Sequence, residues 1–415
     1  MLAKLGSVYN RFRSWWSIQI ACMRKCLALA GDCFWLLDVL LLFGGMRSTS
    51  TSIWRSEHFI RHATNCLFAY QVIAAGFQLK NVATDKQNDV LGIVVEMIKF
   101  TGICACCLRS SCVAYFKKSF ETFKNFIIYE STNSGDIVFD ELERHKFQTH
   151  ARLILQAVFG LIISDTILLS IPCTATRNLI GFPAQFSVAG KWASRVLQVL
   201  LVSSFPLATF PKFTSSMASN VILLLGMRAK LNIVAHRYRL ILNRHLLKAE
   251  HSMERLDLEV RAALIQQIEC WRHFSIVKDT VGKTFIPVHY YSVYCTGSLL
   301  YVSQDMGINA TSGVLVASVC FLLLEHYFTC RLIDSLRDVT DSIGYTIFQL
   351  CAQIPYSREH HSKFIRMKRT LIIAWINTCN ATPANCFQIF EMSTSAFVRL
   401  LNTTYSVFTF LIDVT

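Results

Sequence analysis

Charge is scarce in this chain. Asp, Glu, Lys and Arg make up 16% of its 415 residues, against about a quarter in an average soluble domain. Negative charge is scarcer still: 27 acidic residues face 41 Lys and Arg, for a formal net charge of +14. Proline numbers only 7, so long helices can run with few breaks. No nucleophile-base pair, glycine-rich phosphate loop or metal-ligand spacing occurs. No enzyme, no cofactor and no metal site are expected. The basic residues lie between apolar blocks without an RNA or DNA motif, which argues against a nucleic-acid partner. No secretory signal is expected either: Met1 to Arg13 leads into Trp15-Trp16 with no small-residue cleavage site. The 16 cysteines have no framework spacing. Cys104, Cys106, Cys107 and Cys112 fall in one apolar run and read as small hydrophobes packed between helices.

Apolar residues are abundant, at 53% of the chain with a mean hydropathy of +0.39. They come in blocks near the ~20 residues that a bilayer requires. The fold class expected is an all-α membrane protein of one polytopic domain with seven transmembrane helices. The spans are Phe59–Leu79, Val90–Val113, Leu153–Cys173, Trp192–Phe213, Phe285–Gln304, Ser312–Cys330 and Phe387–Ile412. Residues 1–58 read as a cytosolic or peripheral segment, and 331–386 as a cytosolic helical region before the last helix. Leu27–Gly45 is an eighth apolar run. Asp32 and Asp38 interrupt it, and a carboxylate at mid-bilayer costs about 2.5–3.5 kcal/mol on insertion scales. A peripheral or re-entrant segment is therefore expected there.

Lys and Arg set the orientation. The segments facing one side carry 31, the other loops four. The N-terminus is expected in the cytosol and the C-terminus outside. Asn309-Ala310-Thr311 then falls in a short external loop, making Asn309 a glycosylation candidate. This orientation is opposite to that of G-protein-coupled receptors. His236-Arg237-Tyr238-Arg239 only echoes their signature and reads as a solvated basic helix face.

The last span carries two stripes at helical spacing. Phe397, Leu401, Tyr405, Phe408 and Ile412 form an apolar one. Asn402, Ser406, Thr409 and Asp413 form a polar neighbour. Elsewhere, Glu96 and Lys99 are spaced to neutralise each other. Asp165 and Glu325 have no evident partner, and Arg399 sits within the span. Glu269–Val281, ECWRHFSIVKDTV, is basic and amphipathic. It suits an anchor helix face, with a calmodulin-type partner as the lesser alternative.

The closing stretch, with Phe397 ahead of Thr404-Tyr405-Ser406 and then Val407-Phe408-Thr409-Phe410, resembles the final helix of insect odorant receptors. Cys330, Asp334-Ser335, Tyr345, Pro355 and Lys368-Arg369 occupy the family's positions ahead of it. Cys351 stands where the family has Trp, and Ala381 to Asn385 departs from its Leu-x-Ala-Gly. The resemblance implies an odour-binding subunit that assembles with a common co-receptor into a poorly selective tetrameric cation channel in the plasma membrane. It implies a constriction at Phe408, Leu411 and Ile412, with Tyr405 on the same stripe and Asp413 attracting cations at the outer mouth. It also implies a small-volatile pocket in the outer half of spans two, three, four and six. The candidates there are Val94, Met97, Ile162, Thr166, Ser203, Phe205, Val316 and Phe321. The rival readings are a gustatory receptor of the same architecture and a transporter.

Overall fold

A computed structural model describes residues 32–46, 57–84, 90–129, 132–170, 181–247, 253–307, 310–354, 356, 358–380, 385–386 and 390–414. These residues are almost entirely helical. In chain order the helices are α1 (Cys33–Phe43), α2 (Glu57–Thr84), α3 (Val90–Tyr115), α4 (Lys117–Tyr129) and α5 (Ile137–Ser170). A 3₁₀ turn (Ala184–Ala189) precedes α6 (Lys191–Ser204), and a π turn (Phe205–Thr209) joins α6 to α7 (Phe210–Leu247). Then come α8 (Met253–Asp305), α9 (Ala310–Gln353), α10 (His361–Asn380) and α11 (Thr394–Val414). Between α10 and α11 lies a two-stranded antiparallel ladder, β1 (Asn385–Cys386) with β2 (Phe390–Glu391).

The expected spans one, two, three, five and six fall on α2, α3, α5, the end of α8 and the start of α9. Span four runs from α6 through the π turn into α7. By length and composition alone, three stretches are apolar enough to cross a membrane: Ile137–Ile167, Lys191–Arg244 and Leu315–Gln353. The helices run well past the apolar blocks. The 53 residues of α8 extend for about 80 Å at 1.5 Å per residue, far more than a bilayer's ~30 Å core. Pro287 sits inside it, where a missing N–H and the ring's bulk favour a bend.

The extra length builds a second body. One apolar core joins α1, α4, α5 and α7 to the early part of α8, the late part of α9 and α10, around Phe123, Phe126, Leu155, Met227, Leu231 and Ile343. The other joins α2, α3 and the π turn to the end of α8, the start of α9 and the end of α11, around Phe68, Val94, Cys106, Phe213, Val302 and Val319. We call these the extension core and the span core.

One expectation is corrected, the start of the last helix. In the Leu27–Gly45 run, expected to be a peripheral or re-entrant segment, α1 packs into the extension core, with Leu37, Leu40, Leu41 and Leu42 buried. Its carboxylates are accommodated locally. Asp32 caps the helix by accepting from the Phe34 amide at 2.9 Å, and buried Asp38 pairs with Lys124 Nζ at 2.9 Å. The last helix starts at Thr394, seven residues later than the apolar run suggested. The Asp334 carboxylate on α9 accepts from the Thr394 amide at 2.9 Å and from its hydroxyl. A negative charge there satisfies an otherwise orphan donor and complements the positive end of the helix. This start puts Arg399 within two turns of the beginning of α11 rather than mid-span.

Candidate functional site

α11 buries one narrow arc. Ala396, Leu400 and Thr404 are inaccessible, flanked by half-buried Phe397, Val407, Phe408 and Leu411. Phe397 packs on the extension core, and Phe408 and Leu411 on the span core. Val398, Leu401, Asn402, Tyr405, Ser406, Phe410, Ile412 and Asp413 are exposed. The predicted apolar stripe thus straddles the edge of the contact: Phe397 and Phe408 turn inward, while Leu401, Tyr405 and Ile412 lie on the free side.

The polar stripe sits on the far side from the buried arc. Asn402, Ser406 and Asp413 are exposed there and Thr409 is half-buried. The hydroxyls spend donors on their own helix, Ser406 to the Asn402 carbonyl and Thr409 to the Tyr405 carbonyl, each at 3.1 Å. Their lone pairs, the Asn402 amide and the Asp413 carboxylate remain for the surroundings. Arg399 is exposed on the same side and has no ion pair among the described residues.

The eight pocket candidates do not converge on one cavity. Val94 is buried in the span core, and Phe321 packs against it with its ring 5.8 Å from Phe210. Ile162 packs on the extension core instead. Met97, Phe205 and Val316 are exposed. Half-buried Thr166 and Ser203 donate to carbonyls of their own helices, at 2.6 Å to Ile162 and 3.4 Å to Leu200. A separate crevice of about 310 Å³ lies in the extension region, lined by Phe139, Asn232, Arg239, Asp338 and Ser342 among others, and contains none of the eight. Asn309 lies outside the described residues.

Several features near the span core were not anticipated. Phe186 of the 3₁₀ turn stacks on Tyr70 at 5.6 Å and meets Phe77 and Phe182 edge-on, covering the end of α2. The π turn at Phe205–Thr209 contains Pro206, whose missing N–H suits a locally widened helix. Buried Gln71 ties the last turn of α6 just ahead of it, donating at 2.6 Å to Leu201 O and Ser204 Oγ. Glu325 does have a partner: Arg109, 216 residues away, with both side chains buried. Glu96 and Lys99 pair as their spacing suggested. Asp165 is half-buried without an ion pair among the described residues.

The extension region revises two more readings. Arg239 is the exposed part of the His236–Arg239 segment, and half-buried Arg237 donates at 3.2 Å to Asn133 O. Tyr238 is fully buried, and burial pushes its phenol pKa up. Its hydroxyl donates to Gln267 Oε1 at 2.6 Å, and Gln267 Nε2 donates to Thr378 Oγ1 at 2.7 Å. His236 stacks on Phe139 at 3.9 Å and meets Asp136 at 3.3 Å. The Phe139 amide, and then His236, hold the Asp136 carboxyl below its usual range. The segment is thus a tie between α5, α7, α8 and α10, not only a solvated face. In Glu269–Val281 the apolar face is also used: Cys270, His273, Phe274, Val277 and Val281 are buried. A calmodulin-type partner needs that face free, so the structure opposes this alternative and agrees with an internal packing face.

Twelve of the cysteines are free thiols, and no group of three or more His, Cys, Asp or Glu positioned for a metal occurs among the described residues. No family model matches the sequence, and no curated protein matches it either. Solved structures do match. The insect olfactory receptor OR5 from Machilis hrabei superimposes with a TM-score of 0.67 at 10% identity, over 95% of this chain and 99% of that one. The same receptor in complex with eugenol gives a TM-score of 0.69 at 11% identity, over 94% and 98%. Over nearly its whole length, this chain has the all-α fold of the insect olfactory receptors.

Proposed function

We propose that this chain is a member of the insect odorant receptor family. In this reading it is an odour-binding subunit that gates a poorly selective cation channel in the plasma membrane together with a co-receptor subunit. The fold match runs through almost the full length of both chains. One of those structures holds eugenol, a small aromatic volatile, which supports a ligand of the same class here.

The observation that carries the channel reading is the free face of α11. Asn402, Ser406 and Asp413 are exposed on the helix that the sequence reads as the last span. Polar side chains on a spanning helix face protein or water rather than lipid tails. A face turned away from its own subunit meets that condition when several subunits surround a water path. We assign Asn402, Tyr405, Ser406, Ile412 and Asp413 to that path, and Phe408 and Leu411 to the wall behind it. A ring of large apolar groups such as Ile412 closes a pore by excluding water, and carboxylates at a mouth concentrate cations. Arg399, near the start of α11, would then sit at the inner mouth.

The ligand site is assigned to the outer halves of α3, α5, α6 and α9. Val94 and Phe321, on the span core, are its apolar candidates, with Met97, Thr166, Ser203, Phe205 and Val316 proposed around them; Ile162 packs on the extension core and lies apart from them. Such a site is mainly apolar with a few hydroxyls. The test is a current recording from cells expressing this chain with and without a generic odorant co-receptor, across an odour panel. Odour-evoked cation current that requires both chains supports the reading. A homomeric current to a tastant favours a gustatory receptor, and ion-coupled uptake without current favours a transporter.

A further inference from the structure

Consecutive residues of α9 hold opposite halves of the span region. Glu325 faces α3 and α7: it pairs with Arg109 of α3, whose guanidinium also donates to the Phe213 carbonyl at 2.9 Å and lies 3.8 Å above the Phe213 ring. His326 faces the other way. Its ring lies 4.4 Å from Phe285 and 5.1 Å from His289, both on α8, and is stacked 6.4 Å from Phe397 of α11. Nε2 of His326 is 3.3 Å from Nδ1 of His289. The neighbouring Tyr327 meets Phe397 edge-on at 5.4 Å. All of Arg109, Glu325 and His326 are buried.

We propose that the Glu325-His326 pair is the mechanical link between the ligand helices and the last helix. This rests on the channel reading above. Ionisable groups within spanning helices are costly and are kept where they act. Here the ion pair fastens α9 to α3, both assigned to the odour site, and through Arg109 to α7. One residue on, an aromatic contact fastens the same turn of α9 to the start of α11. A shift of α3 or α7 on ligand binding moves this turn as a unit, because adjacent residues of one helix cannot move independently. Arg109 Nε, Glu325 Oε2 and His326 Nδ1 have no hydrogen-bond partner among the described residues. The cluster therefore holds polar capacity that a second arrangement can use, as a two-state element requires. Glu325 and His326 are positioning residues: neither needs to touch the odorant or the permeant ion.

The test measures odour dose-response curves for the co-expressed channel, scaled to surface-labelled protein. Wild type, His326→Ala, His326→Phe, Phe397→Leu and Glu325→Gln are compared. His326→Ala should lower the maximal odour current per surface channel about fivefold or more, the scale of a lost site-to-site coupling. Phe397→Leu should do the same from the other side of the contact, and His326→Phe should restore most of the current by keeping the stacked ring. Glu325→Gln should act like His326→Ala. A purely structural role lowers surface density and leaves the current per channel unchanged, and that outcome in His326→Ala and Phe397→Leu overturns the proposal. Equal impairment of His326→Phe and His326→Ala also overturns it. If His326→Ala fails to reach the surface, Phe397→Leu decides. A wild-type chain silent to every odour with its co-receptor refutes the channel reading itself, which separates that failure from a failure of the link.

Discussion

A Cβ atom placed on Gly297 would lie 2.8 Å from Val407 Cγ1, so α8 and α11 cross there with no room for a side chain. The same atom would be 3.1 Å from the Thr404 carbonyl oxygen, which as backbone cannot swing aside. Gly297 thus sets how closely the last helix lies on the rest of the subunit. Gly297→Ala should destabilise the protein by about 1–3 kcal/mol, the usual cost of overpacking, and Gly297→Val by more. Adding Val407→Ala to Gly297→Ala should recover part of the loss, because the nearest atom of the clash is then gone. Thermal unfolding in detergent, followed by size-exclusion chromatography, reads both effects. Equal stability of wild type and Gly297→Val would mean that the two helices are not in this contact.

The Tyr238, Gln267 and Thr378 relay ties three helices of the extension core with hydrogen bonds of 2.6 and 2.7 Å. Removing the phenol oxygen leaves Gln267 Oε1 buried without its donor. An unsatisfied buried acceptor costs about 1–3 kcal/mol. Tyr238→Phe should therefore lower the unfolding temperature measurably despite retaining the ring. The double variant Tyr238→Phe with Gln267→Leu should be less damaging than the sum of the two single changes, since it removes both ends of the same bond. Additive losses in that cycle would dissolve the relay.

His273 makes the extension core sensitive to acid. Its ring stacks on Phe126 at 4.1 Å, and neither nitrogen has a hydrogen-bond partner among the described residues. Burial first, and Arg272 next, push its pKa below 6.5. The folded state therefore binds this proton less readily than the unfolded state. The contribution is intact above about pH 6.5, the unfolded value, and is lost as pH falls below it toward the folded pKa. His273→Phe keeps the stacked ring and removes the proton. Its unfolding temperature should fall less than that of wild type between pH 7 and pH 5, with parallel behaviour above pH 7. Identical pH profiles for the two proteins would show that His273 does not titrate differently on folding.

The architecture was legible where long apolar blocks and scarce proline leave helices as the main answer for a membrane chain. The positive-charge asymmetry and the closing helix also pointed to this fold. What stayed hidden depends on partners distant in sequence. The start of α11 is set by Asp334, 60 residues upstream, so the local apolar run overstated the helix by two turns. Glu325 looked unpaired because Arg109 lies on another helix, although both sit in otherwise apolar runs and could have been matched by sign. The carboxylates of α1 argued against a span, but the sequence did not show that Lys124 and the Asp32 cap accommodate them in a protein core. On α11, periodicity found the two stripes correctly but could not tell which edge of the apolar one touches α8 and α9.

That last distinction makes the pore assignment testable residue by residue. Cysteines placed at Asn402, Ser406 and Asp413 should react with a water-soluble, charged thiol reagent in the assembled channel and change the current. Cysteines at Leu400 and Thr404, on the buried arc, should not react. Ile412→Ser puts a hydroxyl on the free side, where it should wet a closed constriction and raise basal current. Phe408→Ser acts differently under this assignment, because Phe408 packs against the span core. It should chiefly cost stability and surface expression, with little change in leak per surface channel. Asp413→Asn should weaken divalent permeation or block only mildly, since one exposed carboxylate is largely screened at a Debye length of about 8 Å. If Phe408→Ser leaks while Ile412→Ser does not, and the reagent spares Ser406→Cys, the conduit runs along the apolar edge of α11 and the polar face instead packs on a neighbouring subunit.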